Sequence, residues 1–268
     1  MTLTSPEESP VVIGNGPHTV LCLHGWFGSS TGWGSSFVKL LDTQRFRYLF
    51  LDYRGYGERK DVPGKYTLDE IAEDALAVAD DYDADTFSVL GHSMGASAMQ
   101  RVLAMAPERV RAMIGIAPAP TNGTQFDEDG WSLYSGAAHD DSNREAIIDI
   151  ATGNRLSAHW IDLMVRHSVA HSTREAFAAY LDAWAKTDHA DEVPKDKSDS
   201  LVIVGEHDPR VNENTVRRTW LQHHPRSRLE VIQNAGHYPM FETPVRLATL
   251  IEEFLAGVSP NGTPAGDA

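Results

Sequence analysis

Phe87-Ser88-Val89-Leu90-Gly91-His92-Ser93-Met94-Gly95-Ala96-Ser97-Ala98-Met99 is the stretch that decides the fold. An apolar, β-favouring run meets a Gly-x-Ser-x-Gly turn and then a segment rich in Ala and Met, which predicts strand, tight turn, helix. Gly91 and Gly95 matter because a Cβ at either position would crowd the adjoining strand or helix. The turn lifts the Ser93 hydroxyl clear of the backbone. It also leaves the Met94 N–H at a helix start, where it can donate to a developing oxyanion. A five-residue pattern also arises by chance in ordinary strand-to-helix turns, so the flanking segments have to decide.

Those segments repeat the same alternation. Strands are expected at Val11 to Ile13, His18 to Leu23, Phe46 to Leu51, Val110 to Ile116, Leu201 to Val204 and Arg228 to Ile232. Helices are expected at Trp33 to Leu41, after a capping box at Thr67 and Glu70, at Asn212 to His223 and at Pro244 to Leu255. Such alternation implies a mostly parallel sheet with helices on both faces and ligands at the carboxyl ends of its strands. From Asn122 to Asp196 it stops, and only helical pieces rich in aromatic residues remain. The expected organisation is therefore a core of residues 1–121 and 197–268, a helical cap insertion at 122–196, and a disordered tail at 257–268.

Bulk properties exclude several classes. A chain of 268 residues with 41% hydrophobic content suits one large α/β domain. A formal net charge of −15 argues against nucleic acid or an anionic membrane as partner. No apolar run approaches bilayer-spanning length and no basic n-region precedes an apolar one, so a cytoplasmic location is expected. Cys22, the single cysteine, sits in an apolar strand and reads as a buried thiol. No metal is expected: His167 and His171 share a helix face at i and i+4, but no third ligand is indicated, and packing is the favoured reading.

A serine hydroxyl needs an adjacent base, itself oriented by a third group. Among twelve histidines, His237 stands apart because it follows the strand Arg228 to Ile232 in the loop Asn234-Ala235-Gly236-His237. Asp208 follows the preceding strand directly in Gly205-Glu206-His207-Asp208-Pro209, with Glu206 as the weaker rival. The glycine-rich loop His24-Gly25-Trp26-Phe27-Gly28 after the first buried strand can bring the Trp26 N–H to the serine turn. Asp52 and Arg54, at another strand end, are expected to pin a loop. Ser93, Trp26, Asp208 and His237 thus converge on one sheet edge.

With these motifs together, over about residues 11 to 256, the chain resembles the α/β-hydrolase superfamily. The matching elements are His24-Gly25 and its loop, Asp52-x-Arg54-Gly55-x-Gly57, Gly91-His92-Ser93-Met94-Gly95, Gly205-x-x-Asp208 and Gly236-His237. The resemblance implies Ser93 as nucleophile, His237 as base then acid, Asp208 as its orienter, and the N–H groups of Trp26 and Met94 as oxyanion hole. Haloalkane dehalogenases and epoxide hydrolases of this fold use aspartate where position 93 is serine, which points to an acyl-serine route. The expected function is a cofactor-free serine hydrolase cleaving an ester or lactone with an apolar or aromatic portion. Expected pocket residues are Phe27, His92, Trp131, Trp160, Met164 and Trp184. The same triad also serves C–C bond hydrolysis, perhydrolysis or cofactor-independent dioxygenation, and a non-catalytic ligand receptor on this fold is a further alternative.

Overall fold

The computed structural model describes residues 9–194, 198–225 and 227–258. The expected boundary at 196/197 lies outside the described residues, as does the part of the expected 257–268 tail from residue 259 onward; the first residue of that tail, Gly257, instead closes the last helix, with Val258 as its cap. The strands are β1 (Val11–Ile13), β2 (His18–Leu23), β3 (Phe46–Leu51), β4 (Phe87–His92), β5 (Val110–Ile116), β6 (Asp199–Gly205) and β7 (Arg228–Ile232). They form one sheet in the order β1-β3-β2-β4-β5-β6-β7. Only β1 runs antiparallel to its neighbour. Every residue of β2 and β4 is buried, as continuous apolar strands must be when helices cover both faces.

The chain leaves β2 for β3 on one side and continues into β4 on the other, so the strand order reverses between β2 and β4. The crevice at the carboxyl ends of these two strands is the position where open α/β sheets bind ligands. The Trp26 loop and the Ser93 turn both emerge there.

Helices before and within the first half are α1 (Ser35–Val38), α2 (Leu68–Asp81) and α3 (Met94–Met105). Between β5 and β6 lie α4 (Glu128–Gly136), α5 (Asp141–Ala151), α6 (Ala158–Ala170) and α7 (Arg174–Lys186), with no strand among the described residues there. The remainder are α8 (Glu213–Arg218), α9 (Trp220–His223), α10 (Pro239–Glu242) and α11 (Pro244–Gly257).

Three local expectations change. The helix expected from Trp33 is only four residues long, because Gly34 stands before it at φ +78°. The helix expected over Asn212 to His223 breaks at Thr219, whose φ −117° and ψ −79° interrupt the ladder between α8 and α9. At α2, Thr67 Oγ1 accepts the Glu70 N–H at 3.1 Å as a cap should, worth about 1 kcal/mol. The Glu70 carboxylate does not close the reciprocal half of the box; it accepts the N–H groups of Lys65 and Tyr66, both at 3.0 Å. Helices α4 and α10 were not expected. Glycines at 130 and 136 dilute the helical signal of α4, and α10 is a single turn.

Among the described residues, no helix is long and apolar enough to cross a membrane.

Candidate active site

Ser93 sits at φ +51°, ψ −116°, a conformation that costs a non-glycine residue energy and persists only where the surroundings impose it. The surroundings here are main chain. Ser93 N–H donates to Ile116 O at 2.9 Å, and Ser93 O accepts from Ala96 N at 3.0 Å and Ala119 N at 3.2 Å. A Cβ on Gly91 would lie 2.6 Å from Ala96 Cα, and one on Gly95 would lie 2.7 Å from His24 O. Both glycines are thus required by close approach, and the serine turn is wedged between β2, β5 and α3.

His237 and Asp208 meet across the ends of β6 and β7. Asp208 Oδ2 is 2.5 Å from His237 Nδ1, and Asp208 Oδ1 accepts the N–H groups of Arg210 and Val211, both at 2.9 Å. Burial opposes the charge on Asp208. The adjacent His237 and the two backbone donors outweigh it and hold the carboxyl below its ordinary range. Glu206 turns away to accept Asn234 N–H at 3.1 Å.

Ser93, Asp208 and His237 line one cavity of about 400 Å³. No hydrogen bond links Ser93 to His237 in the structure, a contact that commonly tightens only once substrate is bound. The N–H groups of Trp26 and Met94 have no protein acceptor among the described residues, so both are free to bind a negative oxygen. Trp26 is fixed from behind. Its carbonyl accepts from Tyr56 Oη at 2.9 Å, its indole Nε1 donates to Phe177 O at 2.7 Å, and its ring stacks on Phe177 at 4.0 Å.

Of the expected pocket residues, Phe27, His92, Met164 and Trp184 reach this cavity. Trp131 and Trp160 do not. Trp131 borders a separate hollow beneath Lys186, whose Nζ lies 4.2 Å from its ring, and Trp160 packs edge-on against Tyr238 and Phe241. An aromatic residue on an amphipathic helix buries its ring against whichever neighbour is near, and periodicity does not say which. His92 has a second contact: its Nε2 lies 2.9 Å from His237 O, and burial, with the nearby His237, pulls its pKa down to about 3. It is therefore neutral and donates to the main chain of the His237 loop.

Two contributors were not anticipated. Glu242, its side chain 2% exposed, accepts Gly236 N–H with both oxygens at 2.8 Å and Tyr238 N–H at 3.2 Å. Arg155, between α5 and α6, pairs with Glu242 at 2.9 Å and donates to Asn234 O at 3.0 Å. In addition, His237 N–H donates to Ala151 O at the end of α5, at 3.0 Å. Pro239 at the first helical position, with an acid in that turn, was the available signal for Glu242. Nothing local marks Arg155.

Asp52 does pin a loop: it accepts Ser30 N–H at 2.7 Å, Ser30 Oγ at 2.8 Å and Glu58 N–H at 3.1 Å. Among the described residues no group of three metal-binding side chains occurs; His167 and His171 stack at 4.0 Å, with His167 Nε2 2.9 Å from Ser29 Oγ and His171 Nδ1 2.8 Å from His167 O.

A seven-stranded, mostly parallel sheet with a strained serine turn at its switch point is the arrangement of the alpha/beta hydrolase fold. The model of that family matches residues 18–244, and the chain belongs to it. It is 24% identical over 239 residues to Esterase YbfF of Escherichia coli strain K12, covering 88% of this chain and 92% of that protein. It is 25% identical over 251 residues to 2-hydroxymuconate semialdehyde hydrolase of Pseudomonas putida, covering 88% and 86%. Among solved structures, the esterase EaEST from Exiguobacterium antarcticum superposes with a TM-score of 0.80 at 21% identity, covering 91% of this chain and 94% of that one.

Proposed function

We propose that this protein is a serine hydrolase that cleaves a carboxylic ester or lactone with an apolar or aromatic portion, and that residues 122–196 act as a cap over the site. The observation that carries this reading is the close His237–Asp208 pair on the same cavity as a strained Ser93 whose neighbouring N–H groups are unspent. In the first step Ser93 Oγ attacks the carbonyl carbon while His237 Nε2 takes its proton. Trp26 and Met94 N–H hold the oxyanion. Asp208 keeps His237 in the tautomer with Nδ1–H, so Nε2 is the free base. Collapse expels the alcohol, protonated by His237, and water then releases the acid by the same steps in reverse order.

The test is a panel of p-nitrophenyl esters of increasing acyl length, with aryl esters and lactones, run on wild type and Ser93→Ala. Wild type is expected to turn over at least one class, and Ser93→Ala to lower kcat at least about a thousandfold with an unchanged melting temperature. Retained turnover in Ser93→Ala sinks the assignment. The relationship to the Pseudomonas putida hydrolase favours C–C bond hydrolysis as a second reading. It moves forward if wild type ignores every ester yet is labelled at Ser93 by a fluorophosphonate.

A further inference from the structure

Acyl transfer leaves one part of the cavity wall without a use. In this acidic chain many arginines are engaged: Arg54, Arg59, Arg101, Arg109, Arg155 and Arg217 each lie 2.5–3.4 Å from an Asp or Glu oxygen. Arg210 and Arg218 also line the Ser93 cavity, yet neither makes an ion pair or a side-chain hydrogen bond among the described residues. Asp127, beside Arg210, already accepts Gly130 N–H at 2.8 Å.

Arg210 and Arg218 are both exposed, on the open rim of the cavity, and the Arg210 guanidinium rests beside two aromatic rings. The Arg210 main-chain N–H is bonded to Asp208 Oδ1 at 2.9 Å, two residues from the histidine's partner. Its guanidinium carbon lies 5.0 Å from the centre of the Phe126 ring and 5.1 Å from that of Tyr134, both of which line the same cavity. Ring contact uses the flat face of a guanidinium and leaves its N–H edge for an anion. Thr215 on α8, Thr219 at the break after it, and Gln125 add neutral hydrogen-bonding groups to the cavity wall. With a formal net charge of −15 the protein repels anions in general, so two arginines on the rim of the cavity without an ion pair among the described residues are a local exception, even with Asp127 near Arg210.

We infer that Arg210, with Arg218 in support, binds a carboxylate remote from the scissile carbonyl. The preferred substrates are then esters that carry a free carboxylate, such as half-esters of dicarboxylic acids. The planar fork of Arg210 matches a carboxylate, whereas the rest of the cavity takes the apolar chain between the two ends. This inference rests on the reading of Ser93 as the acyl-accepting nucleophile, and its test has an arm that does not.

The experiment compares the p-nitrophenyl half-ester of adipic acid with p-nitrophenyl hexanoate on wild type, Arg210→Gln and Arg218→Gln. Wild type is expected to favour the half-ester by about tenfold in kcat/KM, and Arg210→Gln to lower that ratio by about tenfold, Arg218→Gln by less. A wild-type ratio near one, or a ratio that Arg210→Gln leaves unchanged, overturns the inference. The independent arm measures melting of Ser93→Ala with and without free adipate. Adipate should raise the melting temperature of Ser93→Ala and not that of Ser93→Ala/Arg210→Gln. If no ester is turned over, the nucleophile reading fails while these melts still decide the carboxylate site. Equal shifts in the two variants, or none in either, reject it.

Discussion

Ser93 is held by main chain from the sheet and the helix it begins, while His237 is held by side chains and by the helices between β5 and β6. The serine's N–H and carbonyl bond to Ile116, Ala96 and Ala119, and glycines on either side admit the close approach. The His237 loop instead takes its bonds from Ala151 O, the Glu242 carboxylate and His92. Trp26 belongs with His237 in this respect, because its ring rests on Phe177 of α7. A serine wedged into the sheet cannot adjust. A histidine and a main-chain donor that lean on the helices between β5 and β6 depend on how those helices sit, so under the proposed function changes in that segment should reach the chemistry through His237 and Trp26, leaving Ser93 where it is.

The sharpest way to break that comparison is Glu242→Gln. The substitution keeps the size but sets an amide N–H against the Gly236 and Tyr238 donors that both carboxylate oxygens now satisfy. Ester kcat is expected to fall about ten- to a hundredfold, with KM changed far less, because a misplaced base costs rate before it costs binding. Arg155→Gln should do the same more weakly, since that side chain is 29% exposed and water can replace part of its pairing. Steady-state kinetics checks both. Glu242→Gln with kcat within twofold of wild type would mean that the loop holds itself.

The contrast also explains what was legible in the sequence. Ser93, Asp208, His237 and Trp26 lie next to strands whose apolar runs are plain, and Gly91, Gly95 and Gly236 mark tight backbone, so each group is placed by a few neighbours in sequence. The strands follow from the same runs, whereas their order in the sheet does not, and β6 extends to Asp199–Gly205 where Leu201 to Val204 was expected. Arg155 reaches Glu242 across 87 positions and Phe177 reaches Trp26 across 151, and neither pairing leaves any local pattern. Aromatic residues in the insertion are equally silent. Trp184 and Trp131 look alike in sequence, yet one faces the cavity and the other faces Lys186.

A second expectation concerns acid. Burial, the largest cause at each site, holds His18, His24, His167 and His189 down to about 4 and His92 to about 3. Each folded value lies below the roughly 6.5 of an unfolded histidine, so the unfolded chain binds more protons. The stability this brings is complete above pH 6.5 and is lost as pH falls toward 4. At pH 5.5 the loss is on the order of 1 kcal/mol for each such histidine. Asp208 has its own window: its carboxyl is lowered, so its contribution is lost only below about pH 4. Urea midpoints measured from pH 8 to 5 should fall steeply below 6.5. His24 and His92 lie beneath the Trp26 loop and the His237 loop, so a midpoint that stays flat would show that both floors can charge without cost.

The smallest effect expected separates the two tryptophans. Trp184 closes one side of the cavity, and its Nε1 is buried without an acceptor. Trp184→Leu removes ring volume from a wall that acyl chains must follow. It should raise the kcat/KM ratio of p-nitrophenyl octanoate to butyrate about three- to tenfold, less than the roughly tenfold or more of one fully enclosed methylene, because only one wall of the cavity is cut back. Trp131→Leu changes a hollow that opens behind Trp26, not onto Ser93, and should leave the ratio unaltered. If Trp131→Leu shifted chain preference as far as Trp184→Leu, the back of the Trp26 ring would be as much a part of substrate selection as its front. The insertion would then act on the site by moving Trp26 and not by lining the cavity.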